Sequence, residues 1–147
     1  MLAEGNEALL RRYYEAVWNQ GDLVVSDELI SADEIQHTHG VVGPGCPAWD
    51  KQAARTFRAA FPDVHFTIEL IVHGGDLTAV LWRAHGTHLP TRTPIVDYTG
   101  VNIFRIVDGA IVEVWNTRDD LSLYSQLGLI PQRSELGPRA FVDAGQA

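Results

Sequence analysis

The hydrophobic period of this chain changes once, near residue 62, and that change limits the fold more than any other feature. Upstream, Leu9, Leu10, Tyr13, Ala16 and Val17 recur at helical spacing over residues 6–19, and "NQG" closes the element at Gly21. Asp22 is placed to cap a second short helix carrying Leu23, Val24, Leu29 and Ile30. A short strand, "EIQHTHG", follows, and "GVVGPGCP" is rich enough in Gly and Pro to predict a loop. Residues 48–61 return to helical period with Trp49, Ala53, Phe57 and Phe61 until Pro62 stops them. Downstream, Val64, Phe66, Ile68, Leu70 and Val72 alternate with His65, Thr67, Glu69 and His73, which is the period of a strand. "GGD" turns the chain into "LTAVLWRAHGTH", and Asp108-Gly109 joins "VDYTGVNIFRIV" to "AIVEVWNT" as a hairpin. Helices first and an antiparallel meander afterwards predict an α+β fold, with the helices packed on one face of a curved sheet. Such a cone has an interior.

Bulk properties narrow the partners. The 147 residues suit one domain, which the pattern places over residues 1–130, with an aperiodic tail over 131–147. A net charge of −8, with scattered basic residues, argues against nucleic acid and anionic membrane surfaces. Cys46 stands alone, so neither a disulfide framework nor a cysteine metal cluster is expected. The opening "MLAEGNEALL" lacks the marks of a secretory signal, and no apolar run reaches the ~18 residues of a membrane span. A cytoplasmic protein is the expectation.

The closing stretch, "VEVWNTRDDLSLYSQLG" (112–128), holds the most pointed chemistry. In a strand over 111–118, Val112, Val114 and Asn116 share one face, while Ile111, Glu113, Trp115 and Thr117 share the other. Asn116 can hold an oxyanion but cannot carry a proton away. Asp119 and Asp120 can titrate, and one of them is also expected to cap the helix over 120–127. In "HTH", His37 and His39 share a strand face; without a third ligand at a recognisable interval, no metal site is expected. His37 is read either as a cavity acid, base or hydrogen-bond donor, or as a structural histidine. Trp82, Trp49, Phe57 and Phe61 read as core residues, or as the apolar wall of a cavity for a flat organic ligand. Asn102, between Val101 and Ile103, is out of place in a strand unless it meets a partner or a wet cavity. Phosphate loops, nucleophile elbows, "HExxH" and dinucleotide fingerprints are absent from the sequence.

The phrases "YYEAVWNQGDL", "AAFPDVHFTIELIVHGGD", "GTH", "TGVNIFRIVDGAIVEVWN" and "QLG" together resemble the SnoaL-like polyketide cyclases of the NTF2-like superfamily, across about residues 6–130. The resemblance implies an NTF2-like cone with a deep apolar pocket, a homodimer, a small hydrophobic substrate and ring closure without a cofactor. In the cyclases an Asp after the strand's last residues serves as acid/base in an intramolecular aldol closure; that position falls on Asn116 here. A supporting His falls at about Asn102, and a family-like His remains at His37. With two titratable positions replaced by amides, proton traffic is expected to pass to His37 or Asp119, with Asn116 orienting a carbonyl. Asn102, Trp115, Trp82, Phe57 and Phe61 are the expected substrate contacts. The activity expected is cyclisation or a related proton transfer on a polyketide-like substrate. Alternatives are hydroxylation of an aromatic polyketide, epoxide or ester hydrolysis, and a non-catalytic ligand-binding or assembly role.

Overall fold

A computed structural model describes residues 2–132 and Glu135, so the expected tail lies outside the described residues apart from 131, 132 and 135. The elements are α1 (Leu2–Tyr13), a π-helical continuation (Tyr14–Gln20), α2 (Val24–Leu29), β1 (Ile30–Thr38), β2 (Val41–Pro44), α3 (Cys46–Ala60), β3 (His65–Gly74), β4 (Leu77–His88), β5 (Thr93–Val107), β6 (Ala110–Arg118) and α4 (Asp120–Gln126). One six-stranded sheet runs in the order β2-β1-β6-β5-β4-β3. Every neighbouring pair is antiparallel except β1 with β6, which are parallel. This is the α+β, NTF2-like architecture expected from the sequence: N-terminal helices against a curved, mostly antiparallel sheet.

Three local expectations need correction. "GVVGPGCP" is not all loop, because Val41–Pro44 pairs with Ile35–Thr38 as an edge strand. Pro is tolerated there, where no further strand needs its missing N–H. Ile30 belongs to β1 rather than to the second helix, and that helix has Leu23, not Asp22, at its N-cap. The first helix changes to π turns at Tyr14, and the wider turn sends Tyr13 and Tyr14 both inward. Gly21 ends it in the left-handed conformation, φ 73°, as the sequence implied. There Arg58 Nη1 donates to the carbonyls of Trp18 and Asn19, both at 2.8 Å, satisfying the helix end.

The core lies between the helices and the inner sheet face. Tyr13, Tyr14, Phe66, Trp82, Tyr98 and Phe104 are all buried and meet mostly edge to face, with Trp82 and Tyr98 centroids 5.2 Å apart. Such pairs add ~0.5–1.5 kcal/mol each beyond the area they bury. Gly100 is required by this packing: a Cβ there would collide with the Trp82 ring and the Thr117 carbonyl. Bulges between Arg105/Ile106 and Ile68/Leu70 shift strand register, and the former turns Ile111 inward despite its sequence parity.

Register also sets the outer face. Val72, Ala79, Ile103, Trp115, His37 and Val42 are successive cross-strand partners over all six strands. A second row, Leu70, Leu81, Val101 and Thr117, runs beside it. Among the described residues, no helix is long and apolar enough to cross a membrane.

Candidate active site

Between α3, α4, the π turns and the inner sheet face lies a cavity of about 540 Å³. Its walls are apolar: Trp18, Trp49, Phe57, Phe61, Phe66, Trp82, Leu123 and Leu127. The helical side also carries Tyr14, Gln52 and Thr56, and a polar end forms where β5 and β6 present Tyr98, Asn102, Asn116 and Arg118 and α4 presents Asp120. That division, greasy walls with a few convergent polar groups, is how proteins hold and orient a small organic molecule.

The polar end is built in two parts. Asn102 Oδ1 accepts from Trp82 Nε1 at 2.9 Å and from Asn116 Nδ2 at 3.2 Å. The out-of-place amide in β5 therefore does meet partners, and its neighbour across the ladder is Asn116. Asn116 Oδ1 is buried with no hydrogen-bond partner, and the same holds for Arg118 Nε and Tyr14 Oη. All three atoms belong to residues lining the cavity. Buried polar atoms are ordinarily paired, so the unused capacity of Asn116 and Arg118 on β6 favours a polar ligand beside them.

Asp120 is the second part. Its Oδ1 accepts from Tyr98 Oη at 2.7 Å, and its Oδ2 lies 3.2 Å from Arg118 Nη2 and 3.3 Å from His39 Nε2. Burial, and then the bond to Asp120, raise the Tyr98 phenol well above its usual range, so it remains a donor. A carboxylate held by a phenol, a guanidinium and an imidazole at the floor of an apolar cavity can accept a proton from a bound molecule and return one.

The sequence-based candidates divide accordingly. Asn116, Asn102, Trp82, Phe57 and Phe61 line the cavity together. His37 does not: it sits on the outer face, stacked on Trp115 at 4.8 Å, with Nε2 2.8 Å from Glu113 Oε1. Trp115 is misplaced for the same reason, since alternation puts it opposite Asn116 and under Arg105, whose guanidinium lies 5.7 Å from its ring. Asp119 accepts from the Ser122 backbone N–H at 3.1 Å as the N-cap of α4, and Asp120 takes the cavity in its place. One acid does cap the helix, but it is Asp119, the residue expected to carry protons, and Asp120 is the one that lines the cavity. Sequence reasoning gave no role to Arg118, Tyr98 or Tyr124. The nearest signal was "RDD" directly after a strand end. Among the described residues, no group of three or more His, Cys, Asp or Glu is arranged to hold a metal ion.

These features define an α+β cone enclosing an apolar small-molecule cavity with one carboxylate at its floor. The family model for SnoaL-like polyketide cyclases matches residues 8–127. IdmH from Streptomyces antibioticus, provisionally assigned as a polyketide cyclase, is 33% identical over 83% of this chain and 97% of its own, with a TM-score of 0.71. A protein of the same provisional assignment from Bacillus cereus ATCC 10987 is 31% identical over 83% and 79% of the two chains, TM-score 0.73. AclR from Streptomyces galilaeus, described as a hydroxylase on similarly provisional grounds, shares the fold at 24% identity over 89% and 100%, TM-score 0.74. No curated protein gives a significant match. The chain belongs to the SnoaL-like polyketide cyclase family.

Proposed function

We propose that the protein is an enzyme that binds a flat, hydrophobic polyketide-like ketone in the cone and catalyses carbon-acid chemistry, of which intramolecular aldol cyclisation is the fullest form. Asp120 is the acid/base: it takes a proton from the carbon next to a carbonyl. Arg118 stabilises the enolate oxygen, and the open Oδ1 of Asn116 accepts a hydrogen bond from a substrate hydroxyl. The observation that carries the reading is the placement of Asp120, bonded to Tyr98 and beside Arg118, at the polar end of an apolar cavity. Water exclusion by Phe57, Trp82 and their neighbours strengthens each of these electrostatic contacts.

The test uses 2-tetralone, a bicyclic ketone that fits the chemistry, with deuterium uptake at its α-carbon in D2O followed by proton NMR. The wild-type protein is expected to accelerate exchange, and Asp120→Asn to remove the acceleration. Exchange at the buffer rate with wild-type protein, or at an undiminished rate with Asp120→Asn, overturns the reading.

We further propose that a second copy of the chain covers the outer sheet face. Ile35, Val42, Leu70, Val72, Val101 and Ile103 are exposed there. The charged groups of that face are already paired within the chain, Arg83 with Glu69 and Asp97, and Arg105 with Glu113 and Asp76. Such a face can meet its own copy without burying an unpaired ion. Sedimentation is expected to give a dimer for the wild type and a monomer for Ile103→Glu; a monomeric wild type sinks the proposal.

A further inference from the structure

Among the described residues, His39 is the imidazole that meets the cavity residues Arg118 and Asp120, from the outer recess rather than from the cavity itself, and it does so from an awkward position. It is the first residue of the two-residue turn between β1 and β2, with φ 52°, followed by Gly40 at φ 76°. Both residues of such a hairpin turn need the left-handed region, where Asn, Asp and Gly are the easy choices. A non-glycine residue held there costs ~1 kcal/mol or more. The side chain that bears this cost is half exposed, with its Nε2 2.7 Å from Arg118 Nη2 and 3.3 Å from Asp120 Oδ2. The turn thus delivers one ring nitrogen to the two charged groups proposed to act on the substrate, while the rest of the ring reaches solvent. Asn116 and Arg118 line both the main cavity and a recess of about 400 Å³ on the outer side, where His39 and His37 also lie. The two spaces therefore adjoin at these side chains.

Resting on the proposed role of Asp120, we propose that His39 is the positioning and proton-exchange partner of that carboxylate, connecting it to solvent at the end of β6 opposite the apolar walls. Competition for Nε2 sets the cycle. In the resting state Arg118 Nη2 donates to the neutral ring, which carries its hydrogen on Nδ1. Once Asp120 has taken the substrate's proton, its O–H donates to Nε2, and proton transfer leaves a carboxylate beside an imidazolium. The charged ring repels Arg118, swings toward solvent, releases the Nε2 proton to water and turns back with Nε2 bare to accept from Arg118 again. Only O–H and N–H bonds form and break, and nothing is oxidised or reduced. Among the described residues, three charged or titratable groups bear on His39: Arg118 from β6, Asp120 from α4, and His37 across the outer recess. Tyr98 holds the far oxygen of Asp120 and keeps the near one aimed at the ring.

His39→Asn and His39→Gly both suit the left-handed backbone, so neither threatens the fold. In the 2-tetralone exchange assay, His39→Asn is expected to lower kcat ~10-fold or more at unchanged KM, part of the ~10²–10⁴ that a positioned acid/base supplies. Added imidazole is expected to restore exchange in His39→Gly, which a purely structural role would not allow. Without any substrate, ring-nitrogen NMR is expected to show Nε2 bare in the wild type and its resonance displaced in Asp120→Asn. A dead Asp120→Asn beside a fully active, rescue-insensitive His39 variant overturns this inference and leaves the proposed function standing. An active Asp120→Asn overturns that reading, and the inference falls with it. Identical His39 ring resonances in the wild type and Asp120→Asn sink the relay whatever the kinetics show.

Discussion

The molecule holds carboxylates in two contrasting settings. At the cavity floor, Asp120 is partly exposed and held by Tyr98, Arg118 and His39. Asp50 in α3 and Glu34 in β1 are each only 1% exposed and lie outside the cavity lining. Asp50 accepts from Tyr13 Oη at 2.5 Å and Ser26 Oγ at 2.6 Å, tying α3 to α1 and α2. Glu34 Oε1 accepts from Gln36 Nε2 at 2.7 Å, and the Cys46 backbone N–H also bears on its carboxyl. Burial first, and then the charge of Asp50, push the Glu34 carboxyl up to about 8. The acid whose pKa burial raises to about 8 is one that lies outside the cavity lining. Perturbation marks a dry environment; access and a charged escort mark a working one.

That contrast can be broken in three places. The largest effect is expected at Asp120. Asp120→Asn should reduce ketone exchange by ~10²-fold or more with little change in thermal midpoint, and a variant that instead unfolds would make Asp120 a structural acid like Asp50.

Glu34→Gln comes next, read by urea unfolding across pH. The folded-state pKa, about 8, lies above the ordinary carboxylate value of 4.5, so folding favours the protonated form. Its contribution is full below pH 4.5, declines as pH rises from 4.5 to about 8, and is lost above that. Glu34→Gln should remove this decline, leaving the variant more stable than the wild type by a few kcal/mol at pH 9, since a tenfold change in proton affinity on folding is worth ~1.4 kcal/mol. Parallel wild-type and variant profiles would show that water reaches Glu34.

The smallest effect is expected at Asp50. Asp50→Asn supplies one acceptor oxygen where two hydroxyls donate, and should cost about 1–3 kcal/mol of stability. The exchange rate of the folded variant should be unchanged; a rate loss comparable to that of Asp120→Asn would erase the distinction.

Much of the fold was legible because its signals are local. The alternation from Val64 to Val72, the Asp108-Gly109 turn and the helical spacing around Tyr13 and Phe57 each depend on a few neighbouring residues. Even the amide pair was marked, since Asn102 stood out in its strand and Asn116 ended the next. The edge strand Val41–Pro44 was not, because a Gly- and Pro-rich segment becomes a strand only when a partner such as β1 offers its free edge.

The site was legible by type and illegible by position. His37 and His39 both sit in "HTH", yet ladder register sends one to stack on Trp115, while a left-handed turn carries the other to Asp120. Asp119 and Asp120 are adjacent, and the start of α4 makes one a cap and the other a cavity residue. By itself the sequence determined the α+β order and a polar corner after β6, because these follow from period and local turn chemistry, and its characteristic phrases carried the resemblance to the family. Only the tertiary structure decided which of two neighbours faces the ligand space: a one-residue step reverses a side chain's direction in a strand, and distant pairing sets that step.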